Sequence, residues 1–328
     1  MKRLILKIIY TIAYHSCLLN FFYFLNRKKQ VILSYHNIIP DQHFSNLPHL
    51  GVSSSTSAFY KQLEIILKRF KTTTKIGTPG SCMITVDDGY RNNLKIVASV
   101  FKQKRIQGVF FVPACYFNEE NKLWVDQILM WVSYVPKGTY NILGNSFLID
   151  SLQSRHELWQ NIYEQLITNY SLVNSLYDSL IIQCSFDKIK SKVDPDLYDL
   201  RFEGLSIKEL TEMKDMGQLL ACHSLKHDVL SKLNEIDLEN DFKVCDDFRH
   251  LYNSNYYAYP FGGNTEVSDD VISMCKKHGY SAAFSNFDSN TNNTHYIGRI
   301  SLNNLNNKYH IEAKLSGFEK FLKRFLIS

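Results

Sequence analysis

The sequence predicts an α/β protein built as a parallel (β/α) barrel with a helical insertion. Three observations carry this. Short apolar runs alternate with amphipathic helical segments. Strand, helix and strand recur within roughly 30 residues, the length of a parallel crossover. The polar residues with chemical potential fall at the carboxyl ends of the runs, the face on which barrel chemistry gathers. With 328 residues and 45% hydrophobic content, the chain can bury a large core.

The elements follow in order. "LILKIIYTIAYHSCLLNFFYFL", residues 4–25, carries its polar residues Lys7, Thr11, His15, Ser16 and Asn20 in one narrow stripe. Lys2, Arg3, Lys7, Arg27, Lys28 and Lys29 give residues 1–30 a charge of +6, whereas the remainder holds 31 basic and 32 acidic residues. Residues 1–29 therefore read as a basic amphipathic helix lying in a membrane interface. An uncleaved span and a helix packed on the body are the competing readings. The near-neutral main body has no basic excess for phosphates, which excludes nucleic acid as a partner. The apolar, basic tail 316–328 belongs to the same surface. Seven scattered cysteines without a C-x-x-C pair argue against a disulfide framework and a thiolate metal site.

"VILSYHNI" (31–38) is the first strand, ending in His36. A helix follows over 55–70, with Ser57 or Thr56 as its N-cap. "SCMITV" is a strand ending in Asp87 and Asp88, "NNLKIVASVFKQKR" a helix, and "QGVFFVPA" a strand. Residues 120–205, rich in Trp and Tyr and helical in pattern, form the insertion within a main domain spanning 30–315. Alternation resumes with a helix (206–217), "QLLAC" leading into His223, a helix (234–252), "YYAYP" leading into Phe261, a helix (267–279), "SAAFSN" and finally "YIGRISL" as one strand.

Each candidate is weak alone, but the barrel brings them to one face. His223 and His227, four apart, share a side if they lie on a helical turn. With one aspartate they form a His₂Asp set, whose nitrogen and oxygen donors suit Zn²⁺, Co²⁺, Ni²⁺ or Fe²⁺ and leave positions open for water and substrate. Two adjacent aspartates then have a purpose: one ligates the metal, and its neighbour accepts a proton from water.

"TVDDGY" (85–90), "HSLKH" (223–227) and "AYPFGG" (258–263), in that order, resemble the first three motifs of the polysaccharide deacetylases, carbohydrate esterase family 4 or the NodB-homology domain. The similarity extends to "SYHNI", "FFVPACYF", "LSIKELTEMKDMGQ" and "YIGRISL" and covers residues 30–302. It implies a distorted barrel and metal-dependent removal of N-acyl groups from amino sugars. On that resemblance Asp87 is the general base, and Asp88, His223 and His227 hold one divalent metal, Zn²⁺ first among the candidates. Ser224 braces the His loop, while Tyr259 and the Phe261 N–H line the substrate and oxyanion position. Two departures stand out. The arginine usual in the third motif is Ala258 here, and Arg299 is expected to replace it beside Asp87. The usual late histidine is not evident, His295 reading as a surface residue. His36, at a strand end on the chemical face, becomes the acid, or else a structural cap.

The expected substrate is a cell-surface saccharide, polymeric or lipid-linked. The expected location is the cytoplasmic face of a membrane, with an exported, N-terminally anchored domain as the alternative. A non-catalytic sugar-binding barrel and a metal hydrolase of another ester class are the competing functions.

Overall fold

The computed structural model describes residues 2–45, 53–118, 122–287 and 293–326. Eight strands run β1 (Val31–Tyr35), β2 (Ser81–Val86), β3 (Val109–Val112), β4 (Leu219–Cys222), β5 (Tyr256–Ala258), β6 (Ala282–Ser285), β7 (Ile297–Gly298) and β8 (Ile300–Ser301). They pair in parallel in the order β7-β6-β5-β4-β3-β2-β1-β8, with Lys71–Thr72 added beside β2. The expected single strand "YIGRISL" is therefore two. β7 pairs with β6 and β8 with β1, so the chain itself bridges the two ends of the sheet through Arg299. That bridge makes the barrel nearly closed and distorted.

Strand alternation sorts side chains into two apolar clusters. Ile32, Met83, Val109, Phe111, Ala221, Ala258 and Phe284 fill the barrel interior. Leu33, Ile84, Phe110, Leu220 and Tyr257 meet the surrounding helices. The first of those helices, Thr56–Arg69, is capped by Ser55, whose hydroxyl accepts from Ala58 N–H, rather than by Thr56 or Ser57. Those two hydroxyls instead donate to Ile39 O and to the Asp41 carboxylate.

Residues 124–202 form the insertion, with helices Trp124–Tyr134, Leu152–Thr168, Val173–Gln183, Phe186–Lys190 and Pro195–Phe202 around their own core of Trp131, Leu158, Ile162, Leu176 and Leu180. It also contains a hairpin, Gly138–Ile142 with Asn145–Ile149, which its helical reading had not included. The turn residues Leu143 and Gly144 both have positive φ, the requirement of a tight two-residue hairpin.

The N-terminal segment is two helices, α1 (Lys2–His15) and α2 (Leu18–Leu25), rather than one. Both pack on the last two helices of the chain, α13 (Lys308–Ser316) and α14 (Phe318–Leu326). None of the seven cysteines is in a disulfide, and only Cys17 is exposed.

Candidate metal centre and active site

Asp88, His223 and His227 converge from two loops, all three buried. Asp88 Oδ1 lies 3.3 Å from His223 Nε2 and 3.3 Å from His227 Nε2. Ligands about 2.1 Å from a tetrahedral ion stand roughly 3.4 Å apart, so the spacing is that of three donors facing one cation. Asp88 Oδ1 is buried without a hydrogen-bond partner, and such an orphan signals a missing positive charge. Burial would raise the Asp88 carboxyl, but the two imidazoles hold it well below the usual carboxylate range. The donor set thus fits a divalent ion.

The His pair does not sit on a helical turn. His223 closes β4, and the loop beyond it bends at Ser224 and His227, whose φ values are 63° and 60°. The Ser224 hydroxyl accepts from His227 N–H at 2.9 Å, which folds the loop back and brings the two rings within 5.0 Å. His223 Nδ1 meets Ala258 O at 2.7 Å, which fixes a tautomer with Nε2 free toward Asp88. Asp241, on the helix Glu235–Tyr252, accepts from Leu225 N–H at 2.9 Å and supports the loop from behind. Asp88 and Phe261 also have positive φ, 73° and 58°. Left-handed non-glycine residues thus recur in all three motifs, strain that the surrounding packing has to hold.

Asp87 faces the other way. Arg299, 1% exposed, meets it with two parallel bonds of 2.7 Å. The guanidinium also donates to Thr85 Oγ1, Ser285 O and Asn286 Oδ1 at 2.9, 3.1 and 2.5 Å, so its donors are fully used. Burial opposes ionisation of Asp87, yet Arg299, then His36, keep its carboxyl below the usual range. His36 Nε2 is 3.6 Å from Asp87 Oδ2, and burial pushes its imidazole toward the neutral form. Asn93 holds the His36 carbonyl at 2.9 Å, fixing the end of β1.

Tyr259 and Phe261 part company. Tyr259 is fully buried, its hydroxyl on His295 O and its N–H on Phe284 O, so neither donor is open to a ligand. This corrects its placement at the oxyanion position: as the second residue of an alternating pair it points into the helix-facing layer. The Phe261 N–H makes no hydrogen bond among the described residues, and its ring lies 4.8 Å from that of His227. Asn286 donates to Phe261 O at 3.1 Å while accepting from Arg299, tying this turn to Asp87. Glycine is required next door, because a Cβ on Gly262 would come within 2.5 Å of Asn286 N. His295 is partly buried and bonded to Tyr280 O at 2.8 Å, a structural role.

The insertion supplies residues that sequence spacing did not single out. Trp124 Nε1–H donates to His227 O at 3.2 Å, and Tyr170 donates to Asp228. Tyr90 donates to Asp126 Oδ2 at 2.7 Å, and Arg201 pairs with the same carboxylate at 2.9 Å. Trp124 and Tyr163 also stand 6.2 and 5.9 Å from the Phe261 ring, an aromatic wall beside the metal loop. His36 and His227 keep the most exposed side chains of the group, 13% and 10%, so access is from their side.

No family model and no curated protein matches the chain. Solved structures do. The Streptococcus pyogenes deacetylase PplD in complex with acetate is 12% identical at a TM-score of 0.52, over 84% of this chain and 92% of that one. A de-N-acetylase from Aggregatibacter actinomycetemcomitans is also 12% identical, at a TM-score of 0.50, over 86% and 98%. The chain shares the distorted barrel of these deacetylases.

Proposed function

We propose that the chain is a metal-dependent deacetylase of the polysaccharide deacetylase type, hydrolysing the N-acetyl group of an amino sugar within a saccharide. The observation that carries this is the division of labour between neighbours: Asp88 with two imidazoles, Asp87 with a buried arginine. Asp88, His223 and His227 would hold one divalent ion, Zn²⁺ being favoured by a nitrogen–oxygen donor set without thiolate. Such an ion supplies Lewis acidity to an acyl carbonyl and to water.

The rest is the work of the chain. Asp87, kept ionised and oriented by Arg299, accepts a proton from the attacking water; the bidentate pair leaves each of its oxygens a second lone pair. The free Phe261 N–H donates to the oxygen on which charge develops. Breaking the C–N bond requires a proton on the departing amine. The proton taken by Asp87 reaches it through His36 Nε2, 3.6 Å away. Trp124, Tyr163 and Phe261 offer apolar faces to a sugar ring at the same opening. The names of the structural neighbours support N-deacetylation as the chemistry.

The test is release of free amine from an N-acetylglucosamine oligomer by the full chain, chelated and then given Zn²⁺, beside a metal titration. Metal should bind at one equivalent and be needed for turnover. Asp88→Asn should lose both, with turnover falling about 10³-fold or more. Absence of metal binding would remove the proposed centre, and bound metal without amine release would remove the substrate class.

A further inference from the structure

We infer that the bent helix pair α1–α2 is an anchor that lies on, and does not cross, an anionic lipid surface. This inference is independent of the reaction proposed above.

The pair is two-sided. Its inner side is sealed to the body, where Tyr10, Ala13, Leu19 and Phe22 are buried against Ala313 and Phe318. Two hydrogen bonds fix it there, Tyr23 to Glu312 Oε2 at 2.7 Å and Asn26 to Ser316 O at 2.8 Å. Its outer side leaves Leu4, Ile8, Ile12, Phe21, Phe24 and Leu25 open to solvent, each at least half exposed. Both helices rest on the same support, α13, so the faces opposite that support turn away from the barrel together. An apolar surface of this kind is unusual on a soluble body and marks an interaction site.

Length rules out a crossing by either arm. No single described helix is long and apolar enough to span a membrane, and the two helices meet at an angle of 80°. The break is built in, since Cys17 between them has φ of 60°. Arms of 14 and 8 residues reach about 21 and 12 Å, short of a hydrocarbon core of about 30 Å. Straightening the pair into a span would pull Leu19 and Phe22 off Phe318.

Charge selects the occupant. The first carboxylate of the chain is Asp41, so the apolar face carries no acid of its own. Lys7, Arg27, Lys28 and Lys29 are exposed around it, the Arg27 guanidinium lying 4.1 Å over the Phe24 ring. The acids Glu312 and Glu319 on the supporting helices are buried and already paired, Glu312 with Arg69 and Glu319 with His310 and Lys323. A second copy of the chain would have to bury this all-cationic rim against itself. A bilayer with anionic headgroups meets both the apolar face and the rim.

The experiment is co-sedimentation of the full chain with vesicles of phosphatidylcholine alone, or containing about a third phosphatidylglycerol. Binding should require the anionic lipid and weaken with salt. Ile8→Asn with Phe24→Asn should lower partition about tenfold or more, and Lys28→Glu with Lys29→Glu, at two exposed positions, should lower it as well. Leu148→Asn, at an exposed leucine of the hairpin, should leave it unchanged, and melting temperature and amine release should be unaffected throughout. Failure of the parent chain to bind, equal partition of parent and both double variants, or a dimer in solution that the apolar variants dissolve would overturn the inference.

Discussion

Asp87 and Asp88 are neighbours in the chain and opposites in the structure. Both are buried carboxylates held in the ionised form. Asp87 is matched by a guanidinium whose remaining donors are all spent on Thr85, Ser285 and Asn286, so the protein itself neutralises it. Asp88 has one oxygen without a hydrogen-bond partner, facing two imidazole nitrogens that are equally turned toward it. The protein completes one half of the site and leaves the other to be completed by a cation. A base must stay put while its proton changes hands, whereas a ligand set must be able to receive its ion.

The largest effect should come from breaking the completed half. Arg299→Ala strands Asp87 as a buried, unpaired charge, and removing one partner of such a pair costs about 3–5 kcal/mol. The double variant Arg299→Met with Asp87→Asn removes both charges of this pair and strands neither. It should regain most of that stability in urea unfolding while turnover stays absent. Metal affinity, a property of the other half, should change little in the double variant. A loss below about 1 kcal/mol for Arg299→Ala would mean that the pair orients Asp87 without stabilising the fold.

Much of this contrast was legible in the sequence because spacing along a strand is local information. The alternation of apolar runs located the barrel strands, and His36, Asp87, Asp88 and His223 stand at their ends. What spacing cannot convey is backbone handedness. The i,i+4 histidines suggested a helix, but Ser224 and His227 adopt left-handed conformations that a hydroxyl-to-backbone bond stabilises. Tyr259 looked like a pocket residue until strand parity placed it in the outer layer. Trp124 and Asp126 belong to an insertion and meet the motif residues His227 and Tyr90 across 103 and 36 residues of chain, while Arg201 pairs with Asp126 from 75 residues away, and no periodicity encodes such distances.

A smaller effect should separate the two halves by pH. Asp241, the carboxylate behind the His loop, is pushed up to about 7 by burial, with Asp228 adding to the rise. Its folded value lies above its ordinary unfolded one, so the folded state binds more protons between the two. Stability from this group is therefore full at low pH and is lost as pH rises through about 7. Between about pH 5 and 8 the loss should be roughly 2–3 kcal/mol. Asp241→Asn keeps an acceptor for Leu225 N–H without the charge, so its melting temperature should be flatter over that range and higher than the parent's at pH 8. Parallel curves for parent and variant would show that Asp241 is not the group responsible. Asp87 itself, held below the usual carboxylate range beside an arginine that does not titrate, offers no comparable change in this range.

The smallest effect tests whether the insertion belongs to the metal half or merely walls it. Trp124 touches that half twice, by its N–H on the His227 carbonyl and by its ring near Phe261. Trp124→Phe retains most of the ring and removes the donor, leaving the carbonyl short of one partner at a cost of about 1 kcal/mol. That carbonyl sits on a residue with φ of 60°, so the bond helps hold a conformation the backbone would otherwise relax. If the bond positions the ligand, metal affinity measured by chelator competition should fall about tenfold, the range expected when a ligand loses its outer support. Affinity for the saccharide should change less, because the aromatic face remains. Trp124→Leu loses ring and donor together and should weaken both. A Phe variant with metal affinity within about twofold of the parent would reduce Trp124 to a wall, and the metal half would then depend on Ser224, Ala258 and Asp241 alone for its shape.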